Sequence, residues 1–274
     1  MNESNANHDA STYQAVRIGD LADWRLLLWI GAGGMGAWLK HEDPTRPLET
    51  IFAEEWKDAG ESLLHRIESA VYDHPQVLDD FSADIAVTAR RTVWVPTELV
   101  ADDEDEAFRL YSQVYPAQPG DVMSETVGDA TCLFSLVPGL NAFLNRTLPG
   151  ARVHSHLAVM MRRFRERSSD MPRVYIDIRD GEVDFIAFDR KDLLMAATHK
   201  WHHPGDIRYH LFNIMQVFGL DPRQVQVSVS GPSRLKTELV QELRKTVAYV
   251  MLTMIPTIGA KADLPLPVSL LLRR

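Results

Sequence analysis

The sequence is poor in cysteine, in long apolar runs and in positive charge, and each shortage closes off a class of protein. One cysteine, Cys132, stands among 274 residues. No internal disulfide framework can form, and the chain suits a reducing compartment. In the strand-like TCLFSLV that thiol reads as a small apolar core residue. No apolar stretch approaches the roughly 18 residues that a membrane-spanning helix needs. The opening MNESNANHDASTYQ carries no lysine, no arginine and no apolar centre, unlike a secretory leader. We expect a disordered arm over residues 1–14 and a cytoplasmic protein with no insertion into membrane. Acidic residues outnumber basic ones, 38 against 29, for a formal charge of −9. Nucleic acid is not expected as a partner, because the mean field repels phosphate.

What the chain has in quantity is apolar material, 45% of residues, enough for one large domain or two lobes. The segment WIGAGGMGAW (residues 29–38) matches G-x-G-x-x-G through Gly31, Gly33 and Gly36. A dinucleotide loop must pass from a strand straight into a helix whose N-terminus meets the pyrophosphate. Here AWLKHEDPTRP follows, and Pro44 and Pro47 prevent a useful helix. MGAWLK therefore reads as the return strand of a hairpin, with Ala-Gly-Gly supplying positive φ at the turn.

Two long segments resemble one another, Arg25–Pro75 and Arg173–Pro222. Each runs strand, glycine-bearing turn, strand, third strand ending near a tryptophan, then an amphipathic helix. The strands are LLLWI, MGAWLK and ETIFAEEW in the first, and VYIDI, EVDFIAF and LLMAATHKW in the second. The helical stripes are Leu63, Leu64, Ile67 and Val71, against Ile207, Leu211, Ile214 and Phe218. The interval from Arg25 to Arg173 agrees with that from Trp56 to Trp201 to within three residues. Agreement in order, spacing and end signals points to internal duplication into paired lobes. We expect a mixed α/β fold with lobes over 15–168 and 169–258 and a tail over 259–274. Each lobe would be a β-β-β-α-β-α unit beside a central cleft. The tail, ADLPLPVSLLLRR, would pack on the body or dock on a partner.

Paired units of this kind resemble the duplicated, ribonuclease H-like fold of the actin, sugar-kinase and heat-shock-chaperone ATPases. The segments VWVPTEL, VYIDIRDGEVDFIAFDRKDLLMAATHKW, LFNIMQVFGLDP and VQVSVSGPSRL resemble more closely a bacterial family of unknown function with that fold. The resemblance covers roughly residues 15–255. More distantly, the chain is similar to the actin-like component of type IV pilus machines. The resemblance implies two facing hairpins that hold nucleotide phosphates, and a glycine pair after a strand that receives adenosine.

On that implication the cleft candidates are Gly31, Gly33 and Gly34 in the first hairpin, Asp177, Arg179, Asp180 and Gly181 in the second, and Ser230 and Gly231 on the adenosine side. Each departs from an active pattern. The first strand, LLLWIG, lacks the carboxylate that would orient metal and water. Arg179 replaces a glycine, although a guanidinium could itself meet a phosphate. Ser230-Gly231-Pro232-Ser233 keeps one glycine of two. No catalytic residue and no metal ligand is assigned, and no cofactor is expected. The favoured function is a non-catalytic actin-like scaffold that binds a partner protein or itself. The alternative is a divergent ATPase or kinase that uses ATP and magnesium through Asp177 and Arg179.

Other groupings read as structural. His199, His202, His203 and His210 surround Trp201 without a metal-binding spacing. His154 and His156 fall two apart on an expected helix and so on different faces. DDEDE (residues 102–106) suits a helix start, and the arginines of MMRRFRER (residues 160–167) suit ion pairs.

Overall fold

The computed structural model describes residues 21–56, 61–100, 104–167, 170–253 and 264–272, so the expected arm at 1–14 lies outside the described residues. The chain opens as β1 (Trp24–Gly31), β2 (Gly34–His41) and β3 (Glu49–Glu55), an antiparallel meander of apolar and aromatic residues. Helix α1 (Leu63–Asp73) follows, with Ser62 accepting the amide of His65 as its cap. Strand β4 (Ser82–Val87) then pairs parallel with β1.

A small unit comes next: β5 (Thr92–Pro96), α2 (Glu104–Ser112), β6 (Val122–Val127), β7 (Ala130–Ser135) and α3 (Leu140–Thr147). Its strands form a separate antiparallel sheet in the order β5-β7-β6. The chain returns through β8 (Arg152–Ser155), parallel to β4, into α4 (His156–Arg165). The second half repeats the plan with β9 (Arg173–Ile178), β10 (Glu182–Asp189), β11 (Asp192–Lys200), α5 (Pro204–Val217), β12 (Gln226–Ser230), α6 (Ser233–Leu243) and β13 (Tyr249–Leu252). Helix α7 (Leu266–Leu271) closes the described chain.

The two large sheets share one strand order, β3-β2-β1-β4-β8 and β11-β10-β9-β12-β13. The correspondence extends to single hydrogen bonds. The amide of Trp56 donates to Gly33 O at 2.8 Å, and that of Trp201 to Gly181 O at 3.1 Å. Both tryptophans thus close their hairpin on the turn glycine. What differs is the insertion between the fourth and fifth strands: α6 alone in the second half, the β5–α3 unit in the first. The expected β-β-β-α-β-α order for the first half missed β6 and β8, because the polar centre of VMSETV and the brevity of RVHS hide them as strands.

Helix α4 is the element that joins the halves. It follows β8 of the first sheet, yet it packs on β10 and β11 of the second. Phe164 stacks on Tyr175 with ring centroids 3.9 Å apart. Tyr175, Ile186, Phe188 and Ala196 therefore belong to the same apolar core as Leu27, Ile85 and Met160. Helix α7 makes the reciprocal crossing from the end of the second half onto β1, β4 and α4. Its Leu266, Val268, Leu270 and Leu271 are buried, and Lys40 Nζ donates to Leu272 O. The described part of the tail, α7, packs on the body.

The hairpin glycines serve a different purpose from the one expected. Neither Ala32 nor Gly33 has positive φ; the described glycines that do are elsewhere, Gly181 among them. Close approach is the constraint instead. A Cβ at Gly34 would strike the carbonyl oxygen of Glu54 on β3, and one at Gly36 would strike the Trp38 ring, whereas Gly33 has open space. Gly34→Ala should lower the unfolding free energy by roughly 1–3 kcal/mol, since fixed backbone cannot yield to the methyl group. Gly33→Ala should stay within about 0.5 kcal/mol of the parent. Urea denaturation of the two variants checks the pair.

Candidate functional site

The second hairpin carries charge on the face that meets α4. In its antiparallel register Asp177 pairs with Asp184, and Arg179 donates its amide to Glu182 O, so all four side chains share one face. Asp184 is fully buried. A buried carboxylate must be compensated, and four hydrogen bonds do this. Arg179 grips it with Nε on Oδ2 at 2.9 Å and Nη2 on Oδ1 at 2.8 Å. Thr198 Oγ1 donates to Oδ1 at 2.6 Å, and His156 Nε2, on the first residue of α4, lies 3.2 Å from it. These partners hold Asp184 well below the usual carboxylate range against the opposing effect of burial.

Arg179 has little left to offer a ligand. Its Nη1 donates to Glu182 Oε2 at 3.0 Å, and Asp184, first among the partners opposing burial, keeps it strongly protonated. Arg90, in the loop after β4, holds the other oxygen of Glu182 at 2.9 Å. Two residues before Arg90, Thr88 Oγ1 accepts from Trp29 Nε1 at 3.1 Å. The short segment Thr88–Arg90 therefore ties the first hairpin to the second.

The first hairpin has no charge at the matching positions. Trp29 stands where Asp177 stands, and Gly31, Gly34 and Gly36 stand where Arg179, Glu182 and Asp184 stand. The Trp29 indole lies over Gly31, so that a Cβ there would come within 2.6 Å of the ring. Ala32 and Gly33 are exposed at the turn.

On the adenosine side, Ser230 Oγ stands 2.7 Å from Asp177 Oδ1 and 3.0 Å from Ile176 O. One hydroxyl hydrogen cannot serve both oxygens. The hydroxyl donates to whichever of the two it faces, and toward Asp177 that bond favours the carboxylate form. Burial, and then the neighbouring Asp184, push Asp177 up to about 7. Gly231 is required at φ +122°, since a Cβ would lie 2.6 Å from Ile178 O. The structure thus brings Asp177, Ser230 and Gly231 together, leaves Arg179 internally paired, and leaves Asp180 and Gly181 exposed in the turn.

A family model described as protein of unknown function, DUF3822, matches residues 45–250. The chain belongs to the DUF3822 family. A Bacteroides thetaiotaomicron protein of unknown function, described as having an actin-like ATPase fold, is similar at a TM-score of 0.80. Identity is 19%, over 94% of this chain and 99% of that one. A structure of the PilM–PilN type IV pilus biogenesis complex is similar at a TM-score of 0.53 and 12% identity, over 84% of this chain and 88% of that one. No curated protein matches by sequence. At these identities the likeness is one of fold, and the fold is the actin-like one with mixed sheets. The resemblance read from VWVPTEL and VYIDIRDGEVDF holds.

Several side chains of this DUF3822 chain take places that the sequence did not announce. His154 is on β8 and not on a helix; only His156 begins α4. Both histidines are buried, His154 with Nδ1 2.8 Å from Glu125 Oε1 and Nε2 3.1 Å from Asp84 Oδ1. Buried Ser155 Oγ and His156 Nδ1 have no hydrogen-bond partner. The histidines near Trp201 separate by role. His203 caps α5 by accepting the amide of Gly205, while His199 stacks on His210 with centroids 4.4 Å apart. Among the described residues no three His, Cys, Asp or Glu converge as a metal site. No described helix is long and apolar enough to cross a membrane. Cys132 is buried on β7, which pushes its thiol up. Arg162, Arg163 and Arg165 pair with Glu125, Glu166 and Asp129. Of the acidic run, Asp102 and Asp103 lie outside the described residues, and α2 begins at Glu104.

Asp177 gives the site a pH signature. A carboxyl with a folded pKa of about 7, above the unfolded value, favours the folded state below pH 4 and loses that contribution as pH rises to about 7. Asp184, shifted the other way, matters only below about pH 4. Asp177→Asn should therefore remove the decline between pH 4 and 7. It should leave the variant more stable than the parent at pH 8 by a few kcal/mol, of the order set by ~1.4 kcal/mol per pKa unit. Chemical denaturation at pH 5 and pH 8 measures it.

Proposed function

We propose that this chain is an actin-like module that docks a partner protein and does not hydrolyse ATP. The observation that carries this reading is the internal pairing of Arg179 with Asp184 and Glu182, opposite a first hairpin whose Gly31 is roofed by Trp29. Phosphoryl transfer rests on placed charge, with a carboxylate-held metal and donors aimed at the phosphates. At the corresponding places this chain offers an indole, a guanidinium already bonded to two carboxylates, and a carboxyl that is half protonated near neutral pH. The PilM structure, which shares the fold, is of a complex with PilN, and protein docking is the use we carry over from it. The matching strand orders of the two large sheets support the further reading that the halves arose by duplication, with lobes over 15–168 and 169–258.

Purified protein titrated with MgATP in a calorimeter should give no saturable heat at tens of micromolar. Phosphate release should equal that of Asp177→Asn. Micromolar, magnesium-dependent binding, or release that falls in the variant, would instead establish the divergent ATPase.

A further inference from the structure

The inner face of the first sheet carries a second charged assembly, away from the hairpins. Asp84 on β4 is fully buried and lies at its centre. Arg152, on neighbouring β8, grips Asp84 with Nε on Oδ1 and Nη2 on Oδ2, both at 2.9 Å. Arg25, on β1 at the other side, donates Nη1 to the same Oδ2 at 3.3 Å. His154 extends the chain of contacts to buried Glu125 on β6, which also accepts from Arg162 Nη2 at 2.8 Å and from the amide of Ser155 at 3.0 Å. Sheet one, the small sheet and α4 are thereby linked by one line of charge.

The balance along this line is uneven. Two carboxylates serve three arginines, and each ring nitrogen of His154 also faces a carboxylate oxygen. Both acids are inside, whereas the side chains of Arg152, Arg25 and Arg162 are 53%, 35% and 31% exposed. Arg162 Nη1 is itself buried, so the exposed positive side chains of this line are those of Arg25 and Arg152. Burial, and then the charge of Arg25, also push the nearby Lys40 ammonium down. In a chain of net charge −9, this crowding of positive charge runs against the overall field. Arg25 gives Asp84 one N–H group and Arg152 gives it two, and Nη2 of Arg25 and Nη1 of Arg152 take no part in these contacts. Because both side chains are anchored on a carboxylate that cannot move, little rotamer freedom is lost when they bind.

We propose that Arg25 and Arg152, set side by side on Asp84, receive a carboxylate-bearing segment of a partner protein. This rests on the reading of the chain as a docking module and names the contact chemistry of that partner. Two guanidinium forks in fixed positions match carboxylates through paired hydrogen bonds. Two neighbouring guanidinium groups on one carboxylate favour a segment with more than one carboxylate over a single small anion.

The test is calorimetry at low ionic strength on the full chain, with a capped hexaglutamate peptide as probe and inorganic phosphate as a second probe. Hexaglutamate should bind saturably to the parent, at least ten-fold more weakly to the Arg25→Gln, Arg152→Gln double variant, and equally well to Arg163→Gln. Circular dichroism melts establish that each variant is folded, and Arg152→Lys supplies a second, milder loss, since it keeps charge but not the fork. No saturable binding by the parent, equal binding by folded Arg152→Lys and the double variant, or binding of phosphate but not peptide would each overturn the proposal. The MgATP titration decides the docking-module reading separately: a protein that binds neither probe nor MgATP sinks only the present inference.

Discussion

The carboxylate of Asp184 is the constraint from which the junction between the second hairpin and α4 is built. A charge with no solvent contact is tolerated only when several donors converge on it, and removing one partner of such a group costs several kcal/mol. Here the donors come from three separate elements: Arg179 from the turn of its own hairpin, Thr198 from β11 and His156 from α4. The last contact is the informative one. It belongs to the helix that leaves the first sheet and packs on the second, so the hydrogen bonding of one hairpin depends on how the two halves are docked. Arg90 on Glu182 and Trp29 on Thr88 add a second tie at the same level. Below them the docking is apolar, through Phe164, Tyr175, Ile186 and Phe188. Burial supplies the larger share of the adhesion, and the charged cluster fixes which arrangement of the halves is allowed.

The two hairpins show how one backbone plan can be filled in opposite ways. Strand order, register and the amide from tryptophan to turn glycine are common to both. The side chains on the inner face are not. One hairpin carries Trp29, Gly31, Gly34 and Gly36, where large indoles need neighbours without a Cβ. The other carries Asp177, Arg179, Glu182 and Asp184, where charge must be closed on itself. On the inner faces the first hairpin has no carboxylate, and each carboxylate of the second has a partner within the chain. The turns differ as well: Gly181 has positive φ and Gly33 does not.

Much of this architecture was legible because it lies in periodicity. Alternating apolar residues, two glycine-bearing hairpins and the recurrence of tryptophan after a third strand gave the order of the main elements and their pairing into halves. The polar core was not legible. Asp184 is one aspartate in EVDFIAF, and its partners lie at 156, 179 and 198, so no local spacing announces them. His154 and His156 were visible only as two histidines of HSHLAVMMRRFRERSS, a segment that reads as helix from its start. A strand of four residues, β8, precedes that helix and turns the two rings to different carboxylates. Gly34 and Gly36 were visible as glycines, but their reason, contact with Glu54 and Trp38, is tertiary.

The opposed shifts of Asp177 and Asp184 deserve the same physical reading. Two carboxyl groups in one register pair, one held ionised and one pushed to about 7, form the pattern that acid–base enzymes exploit. The pattern alone does not make a site, since closed ion networks split pKa values in the same way. What separates the cases is where the proton can go. Asp177 faces Ser230, whose hydroxyl leads on to the carbonyl of Ile176, and Asp184 faces Arg179, Thr198 and His156. Every one of these partners belongs to the chain itself. The shift of Asp177 is therefore met within the chain, and the burial that causes it sets the pH, about 7, by which its contribution to stability has been lost.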